Sequence, residues 1–119
     1  MRHRKAGKKL GRDKAHRKAL LKNLARGFFE SGGKIETTQA KVKAVQPLIE
    51  KMINKTKQGD VNARRWLNRY FQDEKFVNQI VEEFGKKYKD RQGGYTKTVK
   101  VKTRKGDGAL IVRLEGVEK

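Results

Sequence analysis

The sequence predicts an α+β fold: four helices, the second kinked by a proline, packed on a small C-terminal antiparallel hairpin or sheet, with a basic extended arm in front. Three observations carry that expectation. Apolar residues recur at three- and four-residue steps from Leu20 to Phe84, the period drops to two after Tyr95, and residues 1–12 hold almost nothing apolar. The chain has 119 residues, which suits one modest core, so we expect an arm over 1–12 and a single domain over 13–119.

The arm reads MRHRKAGKKLGR, with Arg2, Arg4, Lys5, Lys8, Lys9 and Arg12 and, after the first residue, only Leu10 as a sizeable apolar side chain. Ordering a backbone costs roughly 1–2 kcal/mol per residue, and so little apolar surface cannot offset it. Alone the arm is expected to be disordered, and to order when its charges meet phosphate.

Asp13 is placed to cap the first helix, in which Leu21, Leu24, Ala25 and Phe28 form an apolar stripe with Leu20 beside it. Lys14, Arg17, Lys18 and Lys22 lie mainly away from that stripe, and Ser31-Gly32-Gly33 is the stop. Lys34-Ile35-Glu36 reads as a short extended piece, with Ile35 as the start of a third strand at the hairpin edge. Thr37 or Thr38 is then placed to cap the second helix, where Val42, Val45, Ile49, Met52 and Ile53 repeat with Leu48 on the flank. Pro47 removes one backbone hydrogen bond inside this pattern. The stripe keeps its phase across the proline, which favours one kinked helix over two.

Gly59-Asp60 gives a stop and a fresh cap. Ala63, Leu67, Tyr70 and Phe71 predict a third helix, and Phe76, Val77, Ile80, Val81 and Phe84 a fourth, ended by Gly85. Tyr95, Lys97, Val99 and Val101 then alternate with Thr96, Thr98, Lys100 and Lys102 as a strand. Gly106-Asp107-Gly108 is a turn, and Ala109 to Leu114 is the returning strand. A hairpin alone is marginal, so it must pack against the helices.

Lys plus Arg number 32 against 13 Asp plus Glu, a formal net charge of +19. That excess repels itself in a compact chain unless a polyanion neutralises it, and nucleic acid is the common one. Lys-rich surfaces evolved for solubility or heat usually bring matching Glu, which this chain lacks. Without cysteine there are no disulfides, thiolate metal sites or thiol nucleophiles. Apolar runs fall far short of the roughly 20 residues that span a bilayer. No apolar segment follows the basic N-terminus in the manner of a secretory signal, and the Ser content and amphipathic pattern of a transit peptide are missing. The simplest expectation is an unprocessed cytoplasmic protein.

Catalysis is poorly supported. His3 and His16 sit among cations, without metal-motif spacing, and only Asp13 is near enough in sequence to orient a ring. Glu82 and Glu83 are adjacent on a helix and point different ways. Gly32-Gly33 and Gly93-Gly94 lack the Lys-Ser/Thr ending of a nucleoside-triphosphate loop. No cofactor or metal is expected.

Two segments favour RNA. The first is the arm continuing into the cationic face of helix one, through Lys14, His16, Arg17, Lys18 and Lys22. Cations on an extended chain can follow a folded RNA backbone into narrow clefts. A membrane-surface use would need large apolar residues opposite the charges, which the arm lacks. The second is Arg91-Gln92-Gly93-Gly94-Tyr95-Thr96-Lys97. Gly93 and Gly94 allow close backbone approach, Arg91 and Lys97 can anchor phosphates, and Tyr95 can stack on a base. Equally, Gly-Gly can simply shape the entry to a strand with Tyr95 in the core.

MRHRKAGKKLGR at 1–12 and AHRKALLKNLA at 15–25 closely resemble bacterial large-subunit ribosomal protein number seventeen. The resemblance continues through KIETTQAKVKAV at 34–45, RQGGYTK at 91–97, and the Gly-Asp turn and apolar strand at 106–114, in family order. It implies a structural, non-enzymatic α+β protein bound to large-subunit ribosomal RNA on the outer side of the subunit, towards the peptide exit tunnel. It also implies contact with the neighbouring large-subunit protein number thirty-two. Positions matching the family's motifs are Arg2, His3, Arg4, Lys5, Lys8 and Lys9, then His16, Arg17 and Lys18, then Arg91, Gly93, Gly94 and Tyr95. RNA contact is carried onto these; Arg12, Lys22 and Lys97 join them on charge. The family commonly has Gly-Pro at Gly85-Lys86, so a less rigid helix exit is expected here. It commonly has Arg at Lys97, whose loss removes a bidentate fork. The expectation is an assembly protein, monomeric rather than a stable homo-oligomer, with no membrane partner. The rival is a free-standing factor that uses the same charges on DNA or many RNAs.

Overall fold

A computed structural model describes residues 14–118. The expectations for residues 1–12, and Asp13 as a cap, lie outside these. The described residues form α1 (Lys14–Glu30), β1 (Lys34–Thr38), α2 (Gln39–Gln58), α3 (Val61–Phe71), α4 (Glu74–Lys87), β2 (Thr96–Thr103) and β3 (Leu110–Gly116). The α+β class holds: four helices and one antiparallel sheet in the order β1-β3-β2. Ile35 does open a third strand, pairing with Leu114, and β1 lies on the far side of β3 from β2.

The core follows the helical stripes. Val42, Val45, Ile49, Met52 and Ile53 of α2 meet Leu67 and Phe71 of α3 and Phe76, Val77, Ile80, Val81 and Phe84 of α4. Ala25, Phe28 and Phe29 of α1 close one end, with the Phe29 and Phe84 rings edge to face at 4.9 Å. Such a pair adds about 0.5–1.5 kcal/mol beyond its burial. Leu20, Leu21 and Leu24 are only half-buried, and no residue of α1 before Ala25 is buried. Tyr70, expected with the core stripe of α3, is likewise half-buried.

Helix ends follow local chemistry. The chain leaves α1 through Gly32 and Gly33 at positive φ (79° and 109°), where the Gly33 amide donates to the Phe28 carbonyl at 2.8 Å. Thr38 stands at the N-cap of α2 but makes no side-chain capping bond, so neither Thr37 nor Thr38 caps as expected. Asp60 and Asp73 do cap, accepting from the Ala63 and Phe76 amides at 2.8 and 3.1 Å. Helix α2 runs unbroken through Pro47, which settles one helix over two; continuity, not curvature, is what this establishes.

Gly85 does not end the fourth helix. It lies within α4, which continues to Lys87 with Tyr88 at its C-cap. A Cβ built at Gly85 would stand 2.5 Å from the Thr56 carbonyl oxygen of α2. The glycine is therefore a close-approach position between helices, and the expectation about a helix exit at Gly85-Lys86 falls with it.

Cross-strand partners share a face of the sheet. Val112 and Leu114 of β3 are buried, and Ile35 and Thr37 pair with them on the core side. Glu36, Lys97, Val99, Arg113 and Glu115 therefore face outward. A register shift between Lys100 and Lys102 makes a bulge at Val101, which is 40% exposed. The sequence alternation marked the strand correctly, with its valines outward.

Candidate nucleic-acid interface

Helix α1 carries Lys14, His16, Arg17, Lys18 and Lys22. Lys14, His16 and Lys18 are exposed, and Arg17 and Lys22 are half-buried. The helix contains a single acid, Glu30, in its last turn. An ion pair along a helix needs its partner three or four residues away, so Glu30 reaches Arg26 (3.1 Å) and not the cations before it. Arg26 also meets Asp73 at 3.1 Å. Among the described residues, Lys14, Arg17, Lys18 and Lys22 meet no carboxylate.

The loop from Arg91 to Lys97 is built differently from the stacking reading. Tyr95 is 1% exposed. Its hydroxyl donates to Asn54 Oδ1 at 2.6 Å and accepts from Lys57 Nζ at 2.9 Å, and its ring lies 5.5 Å from that of Tyr88. A base cannot stack on it; of the two readings left open, the core one holds. Glu50 of α2 clamps the entry to β2. Its carboxylate accepts from the Tyr95 amide (3.2 Å), the Thr96 amide (2.8 Å) and the Thr96 hydroxyl (2.5 Å). Lys57 Nζ also donates to the Arg91 carbonyl.

What the loop leaves outside is its backbone. Gly93 and Gly94 are exposed at φ 87° and 60°, and a Cβ at Gly93 would meet no atom within 4 Å. Glycine is required there by conformation, and the surrounding space is open. Arg91 is exposed with its Nε donating to the Gly94 carbonyl at 3.1 Å. Lys97 pairs with Glu115 at 3.6 Å, so part of its charge is answered internally.

Sequence reasoning did not single out the exposed cations Arg65 and Arg69 of α3, or Lys100, Lys102, Arg104 and Lys105 around the hairpin tip. Arg104 is held by Asp107 at 2.5 Å, and that contact together with the Ala109 amide pulls the Asp107 carboxyl down to about 2. Period-two alternation with Lys on the strand could have flagged the hairpin. Nothing local distinguishes Arg69 from an ordinary solvated residue.

Among the described residues no group of three or more His, Cys, Asp or Glu is placed to hold a metal, and no helix is long and apolar enough to cross a membrane. Glu82 and Glu83 are both exposed, Glu82 pairing with Lys86 at 3.2 Å.

The family description Ribosomal protein L17 matches residues 20–117. A Wolinella succinogenes protein named large ribosomal subunit protein bL17 is 49% identical over 115 residues, covering 97% of this chain and 98% of the relative. Its namesake in Petrotoga mobilis is 46% identical over 123 residues, covering 97% and 95%. That of Thermoanaerobacter sp. is 46% identical over 108 residues, covering 91% and 96%.

Proposed function

This chain belongs to the ribosomal protein L17 family, and on that premise we propose that it holds folded large-subunit ribosomal RNA together by charge neutralisation. It is a structural, non-enzymatic constituent of the large ribosomal subunit, and in bacteria that subunit is cytoplasmic. The RNA contacts assigned to it are the arm (Arg2, His3, Arg4, Lys5, Lys8, Lys9, Arg12), the row His16, Arg17, Lys18 and Lys22 on α1, and the open side of Gly93-Gly94 with Arg91 and Lys97. Tyr95 supports that loop from inside. A neighbouring large-subunit protein, number thirty-two, is the assigned protein partner.

One observation carries the reading most directly: Lys14, Arg17, Lys18 and Lys22 of α1 meet no carboxylate among the described residues, while Arg26 and Arg113 each meet two and Arg104 meets one. Cations left unanswered within a chain of net charge +19 are the ones whose counterions a phosphate backbone would release.

The test is cosedimentation. The full chain is expected to travel with the large subunit through a high-salt gradient, and to bind large-subunit RNA with an affinity that falls steeply as salt rises. Removal of residues 1–12 is expected to weaken RNA association while leaving the folded spectrum unchanged. Equal affinity for duplex DNA, or a chain that stays free of subunits, would favour the free-standing rival.

A further inference from the structure

Between the N-terminal half of α1 and one side of α3 lies a groove of about 390 Å³. That is within the roughly 300–1,000 Å³ range of small-molecule sites. Trp66 and Tyr70, one turn apart on α3, line it together with Lys18, Ala19 and Lys22 of α1 and Arg69 of α3. Both aromatic residues are half-buried, with ring centroids 5.0 Å apart and planes tilted by 52°. Lys55 Nζ stands 5.4 Å from the Trp66 centroid. Ala19 contributes only a methyl group to the lining.

Charge sets this groove apart. Two other surface grooves include carboxylates: Glu74 between α3 and α4, and Glu30, Asp73 and Glu83 beside Phe29. The α1–α3 groove is lined by cations and none of these acids, and Lys18, Lys22 and Arg69 meet no carboxylate among the described residues. A half-buried indole lining a groove between unanswered cations fits a ligand with a flat π face and flanking negative charges.

We propose that this groove takes one unstacked base of single-stranded RNA on Trp66, with Lys18, Lys22 and Arg69 on the flanking phosphates. The proposal rests on the RNA-binding reading above and deepens it. A paired helix hides its base faces in the stack, whereas a splayed nucleotide offers one to an aromatic side chain. Stacking of this kind tolerates any base, because each has a π face.

Trp66 is the single tryptophan of the chain, so emission excited selectively in the indole, beyond tyrosine absorption, reports on the groove alone. The full chain would be titrated with a short oligoadenylate, with a fully paired RNA duplex, and with heparin, a polyanion without bases. Oligoadenylate is expected to quench Trp66 and to shield it from acrylamide; duplex and heparin are expected to bind without doing so. Trp66→Ala should lower oligoadenylate affinity about tenfold, and Trp66→Phe should restore most of it. Ala19→Met fills the groove from an exposed position with a good helix former, and should block the base without touching the core. Duplex affinity should be unchanged in all three variants. Equal quenching by heparin or duplex would overturn the proposal. So would an indole already closed to acrylamide in the RNA-free chain, or unaltered oligoadenylate binding by both Trp66→Ala and Ala19→Met. If duplex and ribosomal RNA bind while Trp66 stays silent, the groove alone is wrong; if no RNA binds at all, the parent reading fails.

Discussion

The cations in the first half of α1 and two on the outer face of the sheet, Arg113 and Lys97, are similar in kind and opposite in circumstance. On the sheet, Arg113 meets Glu36 at 3.4 Å and Glu115 at 3.2 Å, and Lys97 meets Glu115 at 3.6 Å, so these two cations and two carboxylates cancel. On α1, Lys14, Arg17, Lys18 and Lys22 have no such answer among the described residues. The difference comes from what each element allows. Within a helix, ion-pair partners stand three or four residues apart, α1 offers no acid before Glu30, and the one carboxylate from another element that meets α1 among the described residues, Asp73, goes to Arg26. A sheet draws them across strands, and β1 brings Glu36 beside Arg113 from the other end of the chain. Net charge is therefore a poor map of binding; the map is the set of charges the fold leaves unanswered.

The comparison breaks most readily at α1. Arg17→Gln, Lys18→Gln and Lys22→Gln together should lower affinity for large-subunit RNA by about tenfold to a hundredfold near physiological salt. The slope of log affinity against log salt should become shallower by about two to three, near one for each phosphate that is no longer neutralised. Thermal stability should hold or rise, since like charges are removed. Binding within twofold of the parent chain would show that this row faces water. A smaller effect of opposite sign is expected on the sheet. Glu36→Gln with Glu115→Gln uncovers Arg113 and Lys97, and should raise affinity for RNA and heparin about two- to fivefold, near the effect of neutralising one or two further phosphates. No rise would mean that outer face lies away from any polyanion.

The sequence made the first region legible and hid the second. Helical stripes, the Asp60 cap and the cationic flank of α1 all depend on neighbours a few residues away, so a linear reading captures them. The misreadings came from partners distant in sequence. Gly85 looks like a helix stop, and only the Thr56 carbonyl of α2 reveals that it clears space for a neighbouring backbone. Tyr95 looked equally able to stack on a base or fill the core. Asn54, Lys57 and Glu50, all from α2, decide for the core by holding its hydroxyl and amide. The ion pairs of the sheet face were likewise unreadable before the register of β1 on β3 was known.

Next in size is the effect of breaking the paired region. Arg113→Ala strips two carboxylates of their partner. With the Arg113 side chain about one-third exposed (34%) and Glu36 half exposed (50%), solvent screening keeps the pair contribution small. A loss of about 0.5 kcal/mol in chemical denaturation is expected, with RNA affinity within twofold. A large drop in affinity would move Arg113 into the binding set and erase the contrast.

The finest test uses Arg26, where the two circumstances meet on one helix. Arg26 meets two carboxylates, Glu30 and Asp73, and its guanidinium lies 4.4 Å from the Phe76 ring centre. The Asp73 carboxyl is held below its ordinary 3.8, first by the Phe76 amide it caps and next by Arg26. A carboxyl lowered on folding stabilises the native chain above its unfolded value, and that contribution drains away as pH falls through the folded one. Asp73→Asn keeps an equally good cap and removes the charge. Its Tm should therefore lie below the parent's at neutral pH, and the gap should close as the solution is acidified below about 3.8. Asp107, lowered to about 2 by Arg104, titrates in both proteins and cancels from the difference. Lys18→Gln should show a constant Tm difference from the parent over the same range, because Lys18 meets no carboxylate among the described residues whose protonation it could feel. A Lys18→Gln gap that tracks acid as the Asp73→Asn gap does would mean that the α1 row has carboxylate partners after all, and the distinction between the two regions would be lost.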